Sequence, residues 1–382
     1  MKVLTILNSL TIGGIENTLY SCLPGLKAEN IKITICCLEK DAILEEDFIE
    51  SGVEIIYIKK TGSLAYDFIQ LYRILKNNSF DLVHSRMSYT SGGFALASKV
   101  SKTPFVLSIH NEFAATLITW SKKFILSSLR SIYLSIHKLL SLKYSSLILG
   151  HSKSNLDRNY PNWKNDLSKY KILYNGVDFK ALDNKIKHLD NKINKFYKQL
   201  GDDSFVFIHT GTFKEQKNHI FMIECFSALD PIQNNYHLIL LGDGELRKII
   251  ENKIEEKDLK NNVHLIGFTK NVGGWLSKAD VFYFPSLFEG FANVIIEAQY
   301  CNLPICASSI KPHYESVHVK YHKYMYDPND KTESVNKMKQ IINDINAGVI
   351  KEDLDQINKD ISSNFSIENM SSNLAKVYNS FS

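Results

Sequence analysis

Short runs of β-branched and aromatic residues recur along this chain, and each run is followed by a longer segment with helical periodicity. The runs lie at residues 2–8, 32–38, 54–59, 82–86, 105–111, 146–152 and 171–175, and again at residues 205–211, 236–244, 262–267, 280–286 and 303–308. Alternation of strand and helix is typical of parallel sheets that are covered by helices on both faces. The sequence therefore predicts an α/β fold with two doubly wound parallel sheets.

The length of 382 residues is more than twice that of a typical domain of about 100 to 150 residues, which also favours two domains. Residues 177–203 lack strand-like runs and are charged with helical spacing, so we predict a linker there, between domains at 1–176 and 204–365. Open α/β sheets bind ligands beyond the carboxyl ends of their strands, so a cleft between the domains is expected.

The last segment, residues 366–382, predicts a helix that needs a surface to cover. Its apolar residues recur at helical spacing: Ile367, Met370, Leu374 and Val377.

Composition excludes several classes of protein. Hydrophobic residues make up 44% of the chain and charged residues 23%, which argues against a disordered, fibrous or disulfide-scaffold protein. The six cysteines form no CxxC pair and mostly lie in apolar runs, so we expect buried free thiols. The first residues indicate a strand and not a signal peptide, and no run reaches the ~20 apolar residues of a membrane span. A cytoplasmic protein is expected.

The net charge of +4 is unevenly distributed, because residues 82–175 hold 13 basic and 3 acidic side chains. On a helix, four of these cations fall on one side, namely Lys122, Lys123, Arg130 and Lys138. They leave an apolar face opposite in a stretch that also holds Trp120, Phe124, Ile125, Leu129, Ile132 and Leu139. This pattern predicts a helix that lies on an anionic membrane. The alternative is a core helix with a solvated basic face. Nucleic acid is not expected, because the cations alternate with aliphatic and not with stacking aromatic residues.

The strongest motif is PSLFEGFANVIIEAQYCNLPICAS, residues 285–308. Glu289 follows a strand, a helix is expected to begin near Ala292, and Glu297 lies inside that helix. The unpaired N–H groups of a helix start form a seat for a phosphate. A glycosidase acid and base pair would need carboxyls ~5 to 10 Å apart, which the helical rise argues weakly against. The alternative is a loop carboxylate and a solvated helix residue.

A second motif, FIHTGTFKEQKNH at residues 207–219, places Lys214 and Lys217 in the turn after a strand. A lysine at such a turn supplies a compact positive charge for a diphosphate, although surface lysines are also common in loops.

A third motif, Gly13-Gly14 after the first strand, does not fit G-x-G-x-x-G, which disfavours a nicotinamide enzyme. It could bring backbone N–H groups to a phosphate or sugar, or simply make a tight turn. His84 and His110 end two strands and could accept a proton or bind a sugar hydroxyl, or be structural. Metal-site, Walker-loop and serine-hydrolase motifs are missing from the sequence.

Several motifs in fixed order resemble the retaining GT-B glycosyltransferases of family 4, also called glycosyltransferases group 1. They are GGIEN, SIHN, YNGVD, GTFKEQKN, LLGDGELR, ADVFYFPSLFEGFANVIIEAQ and PICAS. The strongest similarity is to enzymes that build bacterial capsule, exopolysaccharide or lipopolysaccharide. The resemblance implies two Rossmann-like domains facing across a cleft, a nucleotide-sugar donor held mainly by the second domain, and a C-terminal helix that packs back on the first.

The resemblance also implies roles for single residues. Glu289 approaches the donor sugar, Glu297 holds the ribose hydroxyls, and Lys217 binds the diphosphate. His110 matches a histidine near the sugar, and Gly14 lies by the donor phosphates. The catalytic set is thus Glu289, Lys217 and His110. The predicted donor-binding set is Gly14, Gly211, Thr212, Lys214, Lys217, Gly242, Phe268, Glu289, Gly290, Phe291, Ala292, Asn293 and Glu297. The predicted acceptor-side set is Gly13, Asn17, His84, Arg86 and Asn111.

One departure from the family pattern is Thr212, which stands where an arginine usually follows the glycine of the Lys217 motif. Lys214 is the candidate substitute for the missing charge. The arginine normally helps to neutralise the leaving diphosphate, so a donor-binding partner subunit without catalysis is one alternative function.

The resemblance implies transfer of a hexose or N-acetylhexosamine, with retention, from a nucleotide sugar that we expect to be UDP-linked. The expected acceptor is a lipid-linked or growing surface glycan, and the expected place is the inner face of the cytoplasmic membrane. No metal or other cofactor is expected. A GT-B epimerase acting on UDP-N-acetylglucosamine is the second alternative.

Overall fold

The computed structural model describes residues 1–11, 13–40, 42–110 and 124–382, and for residues 124–130 it describes the backbone alone. Asn111, Trp120, Lys122 and Lys123, which carried predictions, lie outside the described residues. The chain divides into two compact units. The first comprises Met1–Gly176 and Ile367–Ser382, and the second comprises Val177–Ser366.

The first unit contains a seven-stranded sheet in the order β3-β2-β1-β4-β5-β6-β7, with every neighbouring pair parallel. The strands are β1 (Lys2–Leu7), β2 (Lys32–Cys37), β3 (Glu54–Tyr57), β4 (Leu82–Ser85), β5 (Phe105–Ile109), β6 (Leu147–Gly150) and β7 (Tyr170–Ile172). Most of these strands are apolar along their whole length because both faces of the sheet are covered. In β1, Val3 belongs to the core on one face and Leu4 to the core on the other.

The helices of the first unit cover both faces of this sheet. They are Gly14–Ala28, Glu45–Glu50, Leu64–Asn77, Gly92–Val100, Phe124–Tyr144, Lys153–Asn159 and Ile367–Asn379, with short 3-10 turns at Ser88–Thr90 and Trp163–Asn165. Ser63 and Ser152 cap two of them, since their hydroxyls accept the N–H groups of Tyr66 and Asn155. Side-chain caps of this kind satisfy donors that a helix start leaves open.

The C-terminal helix Ile367–Asn379 belongs to the first unit, although most of the second unit separates it from the first in sequence. It packs against the helix Gly14–Ala28. The four apolar residues that predicted a covered face are all buried in that core: Ile367, Met370, Leu374 and Val377. The helical spacing of these residues therefore has its structural reason in the core of the first unit.

Tyr378 ties the C-terminal helix to the middle of the sheet. Its hydroxyl lies 2.6 Å from Nδ1 of His84, and Nε2 of His84 lies 2.8 Å from the hydroxyl of Ser108. All three side chains are buried. These two polar contacts join the last helix to β4 and β5 in the interior of the first unit.

We expect Tyr378→Phe to lower the free energy of unfolding by about 1 to 3 kcal/mol, because Nδ1 of His84 is then buried without a partner. Urea unfolding followed by circular dichroism measures the change. Tyr20→Phe is the matched control, because Tyr20 is exposed and removal of its hydroxyl opens no buried bond. Equal urea midpoints for the two variants would contradict the stabilising role of Tyr378.

The second unit contains a five-stranded sheet in the order β10-β9-β8-β11-β12, and again every neighbouring pair is parallel. The strands are β8 (Phe205–Thr210), β9 (Tyr236–Leu241), β10 (Val263–Gly267), β11 (Val281–Phe284) and β12 (Ile305–Ala307). The helices are Phe179–Lys187, Asn191–Leu200, His219–Ser227, Pro231–Asn234, Arg247–Glu256, Val272–Leu276, Asn293–Tyr300, His313–Ser316, Lys331–Asn346 and Leu354–Phe365. Short 3-10 turns lie at Glu215–Lys217, Val319–Tyr324 and Lys351–Asp353.

Residues 177–203, predicted as a linker, form part of the second unit instead. They fold into the helices Phe179–Lys187 and Asn191–Leu200, and their few apolar residues, Phe179, Leu182 and Ile193, are buried in the core of that unit. The charged, helically spaced sequence therefore reflects two amphipathic helices with one covered face each. The division between the units falls after Gly176, and residues 177–203 belong to the second unit.

Candidate active site

The loop that carries Lys217 follows β8 and is held in place by the loop that follows β9. The N–H of Gly211 donates to the carbonyl of Leu241 at 3.0 Å, and the N–H of Phe213 donates to the carbonyl of Asp243 at 3.0 Å. Phe213 is fully buried and anchors the loop. Gly242 has φ +133°, and a Cβ atom there would lie 2.1 Å from the carbonyl oxygen of Gly211. Gly211 and Gly242 therefore let two backbone segments approach closely.

Lys217 and Glu289 form a short ion pair, in which Nζ donates to Oε1 at 2.6 Å. Only 16% of the lysine side chain and 9% of the glutamate side chain are exposed. Glu289 lies in the loop after β11, and the Lys217 ammonium also lies 4.6 Å from the ring centroid of Phe284, the last residue of β11. Two residues that the sequence predicted for one catalytic site are thus in direct contact.

The loops of Lys217 and Glu289 are also joined through their backbones. The side-chain amide of Gln216 donates to the carbonyl of Phe288 at 2.9 Å, and the N–H of Leu287 donates to the carbonyl of Gln216 at 2.8 Å. The ion pair is therefore held by contacts on both sides and does not depend on its own attraction alone.

Three buried histidines lie close to the ion pair, and sequence analysis did not single them out: His209, His219 and His313. Burial, with a smaller effect of the Lys217 charge, lowers the pKa of His219 to about 4. Burial also lowers the pKa of His313 to about 4, although Glu289 opposes that shift, and it holds the pKa of His209 well below its usual range. These rings are neutral at pH 7, so the ion pair stands among uncharged groups.

The helix Asn293–Tyr300 begins close to Glu289 in sequence, with Ala292 at its N-cap. Ala292 has no polar side chain, so no side-chain cap covers the first N–H groups of the helix. The Asn293 side-chain oxygen is buried and lacks a hydrogen-bond partner among the described residues. Glu297 lies one turn into the helix, where burial raises the pKa of its carboxyl. The predicted start of this helix, near Ala292, agrees with the structure.

The remaining predicted donor residues of the second unit differ in their exposure. Gly290, Phe291 and Gly242 are half-buried near the loops described above, whereas Thr212, Lys214 and Phe268 are exposed. Lys214 and Thr212 share the loop of Lys217, and the N–H of Lys214 donates to the carbonyl of Thr212. Their roles stay predictions.

The predicted residues of the first unit follow β1, β4 and β5. Gly13 is the N-cap of the helix Gly14–Ala28, and its carbonyl accepts the N–H of the exposed Asn17 at 3.0 Å. His84 departs from the prediction of an acceptor contact, because both of its ring nitrogens are used inside the protein by Tyr378 and Ser108.

Arg86 and His110 lie directly after the strands β4 and β5. His110 stacks on His151, with ring centroids 4.1 Å apart. Burial holds the pKa of His110 well below its usual range, so the ring is neutral. Arg86 is buried.

Of the helix predicted to lie on a membrane, the structure describes Phe124–Tyr144, and this helix differs in one respect from the predicted arrangement. Lys138 is half-buried, with its ammonium 5.6 Å from the ring centroid of Tyr89. Ile132 and Leu139 are 59% and 64% exposed.

Among the described residues no helix combines the length and apolarity needed to cross a bilayer, and no group of three or more His, Cys, Asp or Glu could hold a metal ion. All six cysteines are unpaired, and five of them are buried, as predicted.

The two parallel-sheet units define the GT-B class of glycosyltransferase fold. HepE from Anabaena, solved with UDP and with UDP-glucose, superposes on the chain with a TM-score of 0.80 and 19% identity, and the match covers 100% of both chains.

Two family models match the chain in succession and together span most of it. Residues 12–181 match Glycosyltransferase Family 4, and residues 190–358 match Glycosyl transferases group 1. The chain belongs to this glycosyltransferase family, as the sequence motifs predicted.

Two curated relatives extend this comparison. The UDP-Gal:alpha-D-GlcNAc-diphosphoundecaprenol alpha-1,3-galactosyltransferase of Escherichia coli is 26% identical over 335 residues, which cover 84% of this chain and 82% of that protein. The uncharacterized glycosyltransferase MJ1059 of Methanocaldococcus jannaschii is 35% identical over 170 residues, which cover 44% of this chain and 41% of that protein. The part of this chain that matches MJ1059 thus spans less than half the length of that protein.

Proposed function

We propose that this chain transfers a hexose or N-acetylhexosamine, with retention, from a UDP-sugar to a lipid-linked or growing surface glycan. The observation that carries the proposal is the buried Lys217–Glu289 pair, held between the loops after β8 and β11 close to the helix that begins at Asn293. HepE, solved with UDP-glucose, supports the donor. The Escherichia coli relative, named for an acceptor on diphosphoundecaprenol, supports the acceptor.

The proposed mechanism follows from where charge develops. When the bond between the anomeric carbon and the diphosphate oxygen breaks, negative charge grows on the diphosphate and positive charge grows on the sugar ring. The Lys217 ammonium and the N–H groups at the start of the helix Asn293–Tyr300 stabilise the diphosphate. Glu289 is paired with Lys217 in this structure. When the diphosphate binds Lys217 instead, the Glu289 carboxylate can accept a hydrogen bond from a hydroxyl of the donor sugar.

Retention follows if the acceptor oxygen bonds to the anomeric carbon on the face that the diphosphate leaves. The acceptor hydroxyl then gives its proton to the departing diphosphate, so that atoms and charges balance. A diphosphate is a good leaving group and needs no protein acid. Because Lys217 and the helix start supply the positive charge, we propose that turnover needs no metal ion.

The proposed acceptor is bound to lipid, and the helix Phe124–Tyr144 offers a surface suited to a membrane. Ile132, Ile136 and Leu139 are exposed at i, i+4 and i+7, and the exposed Lys143 continues the same stripe. An apolar stripe with flanking cations is typical of a helix that lies on an anionic membrane. We therefore propose that the protein binds the inner face of the cytoplasmic membrane.

Sedimentation with liposomes tests this membrane surface. We expect the protein to sediment with vesicles that contain anionic lipid, and the combined change of Ile132, Ile136 and Leu139 to serine to reduce the bound fraction severalfold. The matched control changes three exposed apolar residues of the second unit to serine, namely Ile232, Ile249 and Val319. Equal sedimentation of the two triple variants would contradict the proposed stripe.

A panel of UDP-, GDP- and ADP-sugars tests the proposed function on the purified protein. We expect one UDP-sugar to raise the melting temperature and to be hydrolysed slowly to UDP, with the same rate after addition of EDTA. Thermal stabilisation without release of UDP, in the presence of acceptor lipid, would contradict transferase activity. It would favour the non-catalytic partner subunit, for which Thr212 in place of the usual arginine is the supporting observation. Conversion of UDP-N-acetylglucosamine to an epimer would also contradict transferase activity.

A further inference from the structure

Arg86 is a buried cation that interacts with the neutral Tyr378 hydroxyl, and no ion pair with a carboxylate balances its charge among the described residues. It lies directly after β4, next to β1, where the strand order of the first sheet reverses. Only 4% of the residue is exposed, and its Nε and Nη2 atoms have no hydrogen-bond partner among the described residues. Guanidinium stays protonated in proteins, so the charge cannot be removed by loss of a proton. A buried charge of this kind is stable only when it is paired.

Other buried polar atoms lie in the same part of the first unit. His110 follows β5, and its Nε2 atom is buried without a hydrogen-bond partner in the described ranges. The hydroxyl of Thr5, in β1 beside His84, is likewise buried, and the Tyr378 hydroxyl is its nearest polar neighbour. Carboxyl ends of neighbouring parallel strands meet at one edge of the sheet, and the reversal of strand order is where α/β sheets bind ligands.

The histidines around Arg86 are neutral and therefore do not repel an anion. Burial, followed by the charges of His151 and Arg86, holds the pKa of His110 well below its usual range. Burial also lowers the pKa of His151 to about 3. Either ring can share its proton with an oxygen of a ligand, and neither adds a competing charge at pH 7.

Glu16 is an acidic residue whose pKa the charge of Arg86 lowers. No ion pair joins the two side chains, so Glu16 does not neutralise Arg86. Glu16 lies in the first turn of the helix Gly14–Ala28, and its Oε2 atom covers Gly13, where a Cβ atom would be 2.4 Å away. Burial raises the pKa of Glu16, and Arg86 opposes this only as the smallest of three effects. A buried water could satisfy the N–H groups of Arg86 but would leave its charge uncompensated, whereas an anion does both.

The pattern of free donors indicates the kind of anion. Nε and Nη2 lie on the same side of the guanidinium and form the fork that binds two oxygens of a phosphate or carboxylate. We propose that Arg86, with His110, binds a phosphate group of the acceptor, as a phosphate ester or a diphosphate ester. This inference rests on the proposed function, which supplies a phosphate-bearing lipid as acceptor. The donor diphosphate is the other source of the same chemistry.

Titration calorimetry with inorganic pyrophosphate on the full chain tests the site without any turnover. We expect Lys217→Met to leave a pyrophosphate site with its affinity intact, and Arg86→Met to weaken that site at least tenfold. Arg86→Lys keeps the charge but not the fork, so an intermediate loss is expected. Circular dichroism checks that each variant is folded. Loss of all pyrophosphate binding in Lys217→Met, with wild-type binding in Arg86→Met, would overturn the proposal.

Acceptor kinetics distinguish the two sources of phosphate. For an acceptor sugar on a polyprenyl diphosphate, we expect Arg86→Met to raise the acceptor KM about 10- to 100-fold. For the same sugar on an uncharged octyl chain, we expect no change. A rise in the KM of the donor instead would assign Arg86 to the donor diphosphate and overturn the acceptor assignment. If no transfer occurs with any sugar, the proposed function fails, while the calorimetry still decides whether Arg86 binds pyrophosphate.

Discussion

Lys217→Met is expected to lower kcat/KM of glycosyl transfer by about 100- to 1,000-fold, most of it in kcat, because removal of a preorganised charge from a developing anion has effects of this size. Methionine keeps the length and apolar contacts of the lysine stem, so the ring of Phe284 stays covered. The ammonium that would face the diphosphate is lost. Steady-state release of UDP, measured with and without acceptor, gives kcat and KM separately.

Loss of Lys217 also affects folding, so the effect on stability must be measured separately from the effect on turnover. Without Lys217, the Glu289 carboxylate is buried and unpaired. Removal of one half of a buried ion pair lowers the free energy of unfolding by about 3 to 5 kcal/mol. The double variant Lys217→Met, Glu289→Gln removes the unpaired charge. We expect this variant to recover most of the stability and none of the turnover.

A control for surface charge is Lys248→Met, since Lys248 is 81% exposed in the second unit. It should leave kcat and KM unchanged. Lys214→Met is a separate comparison, because Lys214 is the candidate substitute for the arginine that Thr212 replaces. If Lys217→Met turned over donor as fast as Lys248→Met, the proposed role of Lys217 in stabilising the diphosphate would be wrong.

The fold of this chain could be predicted from its sequence almost entirely, because parallel strands covered on both faces leave continuous apolar runs. The twelve predicted strands correspond to β1–β12, seven in one sheet and five in the other. Their ends were less predictable. The run at 236–244 leaves the sheet after Leu241, since Gly242 has φ +133° and turns the backbone toward Gly211.

Sequence analysis named the candidate site residues one by one, whereas their contacts with one another could not be predicted. Lys217 and Glu289 are 72 residues apart, and no sequence pattern shows that they would form an ion pair. His84 carried a ligand-binding prediction because it ends a strand run, yet its partner Tyr378 lies 294 residues further along the chain. Sequence analysis gave His219 and His313 no role, because burial depends on packing that sequence alone does not reveal.

Gly242→Ala is expected to lower the free energy of unfolding of the second unit by about 3 kcal/mol or more, from a strained φ and from overpacking together. The new Cβ atom would lie 2.1 Å from the carbonyl oxygen of Gly211, which is backbone and cannot rotate away. The loops after β8 and β9 must therefore separate, although the N–H of Gly242 also donates to the carbonyl of Gly267 at 2.9 Å. The melting temperature should fall by about 6 to 12 °C.

The same substitution should abolish donor binding, because the displaced loop is the one that carries Lys217. Calorimetry with UDP at a temperature where the variant is still folded measures this loss. Gly348→Ala is the matched control: Gly348 also has positive φ, at +75°, but a Cβ atom there meets nothing within 4 Å. We expect this control to cost about 1 kcal/mol, the effect of φ alone, and to bind UDP normally. If the two glycine variants unfolded at the same urea concentration and bound UDP equally, close approach of Gly242 to Gly211 would not be what positions the Lys217 loop.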